Sequence, residues 1–173
     1  SMVGGNGDDT YVVDNTGDRV TEASATGGTD LVLSGVAFTL GTNVERLTLT
    51  GTSAVSGTGN TAVNVLLGNS AANVMTGGAG ADTMDGGDGA DIYIVAAATD
   101  HPAAEAIADT GTTGVDEIRF STASTTVSTL TLASAISGIE RAVIGTGTLD
   151  LNGAGTYAIN VGAAVINGVD VAP

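Results

Sequence analysis

The chain has 173 residues, 19 acidic against 4 basic, with a formal net charge of -15 and neither lysine nor cysteine. That balance excludes an electrostatic nucleic-acid surface or insertion into an anionic membrane, and the missing thiols exclude disulfides and thiolate metal sites. Aromatic residues are 3% and glycines number 27, yet hydrophobic residues reach 42%; this fits neither an aromatic-rich core nor a disordered chain, but does fit tight turns joined by short β segments.

In chain order, the first element is Gly4-Gly5-Asn6-Gly7-Asp8-Asp9-Thr10-Tyr11-Val12, which fits G-G-x-G-x-D-x-U-x with U large and apolar. It runs on through Val13-Asp14-Asn15-Thr16-Gly17-Asp18-Arg19-Val20-Thr21-Glu22 to Gly28-Thr29-Asp30-Leu31-Val32 and Asn43-Val44-Glu45-Arg46-Leu47. Four nonapeptides then follow in one register over residues 59–94. The first two, 59–67 and 68–76, are degenerate: Asn64 and Asn73 hold the aspartate position, Leu66 and Met75 the U position. The next two, 77–85 and 86–94, are complete, with Asp82 and Asp91 followed by Met84 and Tyr93. Residues 4–51 recur approximately at 86–147: Gly114-Val115-Asp116 mirrors Gly28-Thr29-Asp30, and Ile139-Glu140-Arg141 mirrors Val44-Glu45-Arg46. This longer period, and an opening at the edge of a repeat, point to a piece of a long parent protein.

Each nonapeptide reads physically. Glycines at its first, second and fourth positions permit positive φ and close backbone approach, so a six-residue turn can aim carbonyl oxygens inward. The x-U-x tail makes a short strand whose alternation sends U inward. Leu66, Met75, Met84, Tyr93 and Tyr11 are therefore the predicted core.

These repeats resemble the RTX family, the hemolysin-type calcium-binding repeats of bacterial exoproteins. The resemblance covers residues 3–120 well and 145–173 poorly. It implies an all-β fold, a parallel β-roll or β-helix solenoid with tandem turns and flanking β coils. It further implies export by a one-step type I system, with folding outside the cell on meeting calcium. Three stretches are expected: 1–58, a first repeat with its β-rich exit; 59–120, a central roll with its exit; and 121–173, a β-rich continuation or cap.

Two nonapeptides make one coil, so turns on one side recur every 18 residues. Asn64, Asp82 and Asp100 are predicted to line one side, and Asn73, Asp91 and Asp109 the other. With the turn carbonyls at Gly78, Gly80, Gly87 and Gly89, such gaps offer only hard oxygen donors, which select calcium over zinc or copper. Asp9 and Asp18 are the equivalent positions of the first copy, and Glu22 and Glu105 occupy nearly matching places in the two exits. Asp8, Asp85 and Asp88 face outward.

The chain is not expected to be an enzyme. It has no HExxH and no Walker loop. The single histidine, His101, precedes Pro102 without a nucleophile frame. Two classes of function stay open. One is a calcium-binding structural module of a large secreted or surface-associated protein; the other is a folding and secretion module attached to an exoenzyme such as a protease, lipase or epimerase. Cell-surface glycans, ice and self-association remain open as partners beyond calcium.

Overall fold

The computed structural model describes residues 1–23, 27–96, 100, 104–120, 128–131, 136–144, 157–160 and 166–171. The described residues form an all-β solenoid built from stacked parallel sheets, without a helix. None of them therefore forms a helix long and apolar enough to cross a membrane.

Strands are numbered in chain order. One seven-stranded sheet stacks β2 (Thr10–Val13), β4 (Leu31–Ser34), β6 (Arg46–Leu49), β8 (Val65–Leu67), β10 (Thr83–Asp85), β12 (Ala106–Ala108) and β15 (Ile136–Ser137). The facing seven-stranded sheet stacks β5 (Phe38–Thr39), β7 (Ser56–Thr58), β9 (Val74–Thr76), β11 (Ile92–Val95), β13 (Glu117–Phe120), β16 (Ile139–Ile144) and β18 (Ile166–Val171). Two smaller pairs complete the description: β1 (Met2–Val3) with β3 (Val20–Thr21), and β14 (Ser128–Thr131) with β17 (Tyr157–Asn160). Pairing of β6 with β8 and of β13 with β16 carries the sheets across residues 58–59 and 120–121.

The period-two alternation places the core. In register, Tyr11, Val32, Leu47, Leu66, Met84, Ile107 and Ile136 form one inward column. Phe38, Gly57, Met75, Tyr93 and Ile118 form the opposing one. The five predicted core residues, Tyr11, Leu66, Met75, Met84 and Tyr93, all lie in these columns and are buried. Each such side chain contributes roughly 1.5–3 kcal/mol by leaving water. A narrow interior between two sheets is filled by one or two mostly aliphatic residues from each of most strands, which explains how so little aromatic content suffices.

Coil length is uniform only within the tandem repeats. Val65 pairs with Thr83, an 18-residue step, but Leu31 pairs with Arg46 over a shorter span and Thr83 with Ala106 over a longer one. The turns before each strand therefore stack even where the nonapeptide is lost.

Candidate metal centres in the stacked turns

The residue just before each inward strand forms a ladder along the solenoid. The Asn64 N–H donates to Asp82 Oδ1 at 2.8 Å, and the Asn73 N–H to Asp91 Oδ1 at 2.6 Å, each pair 18 residues apart. One oxygen of each aspartate is thereby used. The other, Oδ2, is buried in both and has no hydrogen-bond partner among the described residues. Asp82 and Asp91 are each 0% exposed. An unpaired buried carboxylate oxygen is costly, so both gaps are incomplete as protein alone.

The glycines explain how turns approach so closely. Gly78, Gly80, Gly87 and Gly89 have φ of 96°, 124°, 83° and 129°, the left-handed region that other residues avoid. A Cβ at Gly78 or Gly80 would collide with the carbonyl of Asn60 or Ala62 in the turn below. Carbonyl oxygens of the coil below line these turns, and a buried, unpartnered carboxylate oxygen sits beside Gly77 and beside Gly86; such hard donors suit calcium.

Electrostatics mark the same residues. Burial raises Asp82 above the ordinary carboxylate range, the Asn64 N–H opposes it, and the Asp100 charge adds to it. Burial likewise pushes Asp91 up to about 6 against the Asn73 N–H, with Asp109, Asp116 and Asp85 adding repulsion.

The two asparagines of the ladder serve differently. Asn64 Nδ2 donates to the Val44 carbonyl at 3.1 Å, and Asn73 Nδ2 to the Val55 carbonyl at 2.9 Å. Asn60 Nδ2 adds bonds to the Gly41 and Val44 carbonyls at 2.7 and 2.8 Å, and Asn69 Nδ2 to those of Thr50 and Ser53 at 3.2 and 3.0 Å. In these gaps amide N–H groups satisfy carbonyls of the coil below.

Beyond the tandem repeats the ladder departs from the 18-residue rule. Asp100 lies within electrostatic reach of Asp82, but Glu105, fully buried, precedes the strand that stacks on β10. On the other side Asp116 takes the ladder position above Asp91, its Oδ1 accepting the Asp91 N–H at 2.8 Å. Asp109 still joins Asp91, but from the end of β12. Asp18 instead turns back on its own loop, its Oδ2 accepting the Asn15 N–H at 3.3 Å. Glu22 joins Asp9 and Asp30, so its counterpart in the second exit is Asp109 and not Glu105. Asp30 and Asp116 were not singled out as ligands by spacing; the signal that finds them is the recurring Gly-x-Asp directly before a strand.

Of the outward residues, Asp8 accepts the Thr29 N–H at 2.8 Å, Asp88 the Thr112 N–H at 2.9 Å, and Asp85 the Thr110 hydroxyl at 2.8 Å. They tie neighbouring coils at the rim. His101 lies outside the described residues.

The family profile of the RTX calcium-binding nonapeptide repeat matches the chain in four copies at residues 58–93. Neither a curated protein nor a solved structure matches it. Repeats of this family bind calcium, and the oxygen-only turns around Asp82 and Asp91 fit that ion. Residues 58–93 of this chain are RTX calcium-binding repeats, folded as a β-roll.

Proposed function

We propose that the chain is a structural, non-catalytic calcium module of a large secreted or surface-associated protein, one that folds on calcium after export. Asp82 and Asp91 would hold the ions together with turn carbonyls of the coil they face, at the loops bearing Gly78, Gly80, Gly87 and Gly89. The ion would supply the positive charge that the carboxylates lack.

The observation carrying this reading is the pair of buried Oδ2 atoms without partners, at Asp82 and Asp91. Without calcium, these carboxylates are desolvated and repel their acidic neighbours. The glycine-rich turns add a large entropic cost of ordering. With calcium, binding free energy becomes folding free energy. Extracellular calcium modules bind at ~10⁻⁴–10⁻³ M; at cytosolic calcium the roll would stay open, which suits a chain exported before it folds.

Circular dichroism with and without chelator tests it. A β spectrum that appears only with millimolar-range calcium, and vanishes on chelation, is the expected result. A full β spectrum in calcium-stripped buffer would overturn the coupling of folding to the ion.

A further inference from the structure

We propose that the chain carries a second, paired class of divalent-cation site at the exits of its repeat arrays. Asp9, Glu22 and Asp30 form one, and Asp91, Asp109 and Asp116 the other. The inference rests on the calcium reading above for the identity of the ion. Its ligands, however, include acids outside any nonapeptide.

In each trio, one oxygen per residue lies within 4.8 Å of the other two. Asp30, Glu22, Asp91, Asp109 and Asp116 are all buried, and Asp9 is half-buried. An acidic cluster alone would prove little, but each trio also contains an orphaned oxygen. In the second, Oδ2 of the fully buried Asp91 has no partner among the described residues. In the first, the orphans are Asp9 Oδ2 and the hydroxyl of Tyr11, a residue 5% exposed. A Cβ placed on Gly4 would collide with both, so the two oxygens crowd one point. The counterpart hydroxyl, of Tyr93, donates to Asp109 Oδ2 at 2.8 Å.

The chain builds this arrangement twice from unlike loops. Asp30 Oδ1 accepts the Asp9 N–H at 2.8 Å, as Asp116 Oδ1 accepts that of Asp91 at 2.8 Å. Glu45 and Glu140 each accept the next N–H of the ladder, from Asp30 and Asp116, at 2.9 Å. The Gly7 N–H bonds to the Gly27 carbonyl, and the Gly89 N–H to the Thr113 carbonyl. The carbonyl of Gly7 abuts Gly28, and that of Gly89 abuts Gly114, where any side chain would clash. Only the third acid differs: Glu22, following β3, reaches with one more methylene to where Asp109 arrives from the end of β12.

The copies differ by a half coil. Asp9 precedes β2 in one main sheet and Asp91 precedes β11 in the other, so the sites lie on opposite flanks of the solenoid. Each joins a complete nonapeptide, 4–12 or 86–94, to the irregular loop that follows it. A cation there would lock the exit coil where tandem repeats no longer do so. Three carboxylates and neighbouring carbonyls favour a hard ion of calcium's size over a softer metal.

Crystals of the whole chain grown in calcium, measured for anomalous scattering, test this directly. Peaks are expected ~2.3–2.6 Å from carboxylate oxygens of both trios. Ions held at Asp82 and Asp91 with none of Glu22, Asp30, Asp109 and Asp116 coordinating would overturn this inference and leave the nonapeptide reading standing; no ion near either Asp82 or Asp91 would overturn both. Calcium counts by equilibrium dialysis give a second readout. Asp30→Asn and Asp116→Asn each retain one oxygen able to accept the ladder N–H of Asp9 or Asp91, and asparagine already stands at ladder positions 64 and 73. Each should lose one bound calcium, and an undiminished count in both variants would overturn the proposal.

Discussion

Asn64 and Asp82 sit one coil apart, and the N–H of the first donates to Oδ1 of the second at 2.8 Å, leaving Oδ2 of Asp82 buried and unpartnered. The ladder bond fixes the carboxylate's orientation and leaves its second oxygen beside Gly77 of its own turn. Preorganisation of this kind lowers the cost of binding.

Asp82→Asn separates these roles. The amide oxygen keeps the ladder bond while the charge is lost. The calcium midpoint should rise by about tenfold or more, equal to about 1.4 kcal/mol. In calcium-free buffer the sign reverses, because the variant no longer buries a repelling carboxylate. Dichroism should therefore show more β signal in the variant than in wild type at low calcium and less at intermediate calcium; a variant with less β signal at every calcium concentration would count against the charge argument.

Asn73→Asp makes the opposite exchange. It removes the Nδ2 donor to the Val55 carbonyl and sets a carboxylate beside that oxygen. At the lowest calcium that still folds the wild type it should destabilise by about 1–3 kcal/mol. Added calcium should recover part of the loss by bridging the two oxygens, and urea titrations at several calcium concentrations would reveal this as a steeper calcium dependence than in wild type.

Proton binding should substitute partly for the metal. Burial, opposed by ladder N–H bonds and reinforced by neighbouring acids, pushes both Asp91 and Asp116 up to about 6. A carboxyl raised on folding adds stability that is complete below its unfolded value, ~3.9, and is lost as pH rises through its folded one. Calcium-stripped protein should therefore recover part of its β spectrum as the pH is lowered from neutral to about 5. Calcium-loaded protein should show the reverse trend, because protons compete for the same oxygens. Paired titrations with opposite slopes are the expected outcome.

Gly80→Ala should abolish folding that calcium cannot rescue. The residue has φ of 124°, and its Cβ would meet the Ala62 backbone. Strain of this type costs of order 1–3 kcal/mol before the clash is counted. A dichroism titration should show no calcium-induced β signal in the millimolar range where wild type folds.

The repeated turns were legible because they are local. Three glycines, one acid and one apolar residue at fixed offsets set a turn and a strand with no reference to distant chain. That is why Leu66, Met75, Met84 and Tyr93 fall into the core columns and why Asp82 and Asp91 keep buried, unpartnered oxygens. Spacing carried less information once the nine-residue unit ended. Asp18 folds onto Asn15, while Asp30 and Asp116 reach the ladder positions.

The nonapeptides thus dictated their own conformation and their demand for a cation. Which acid from an irregular loop meets Asp9 or Asp91 depended on strand register, since β4 stacks on β2 and β13 on β11 after intervening loops of unequal length. Backbone pairing and a shared apolar column align those coils, and the carboxylates arrive together as a consequence.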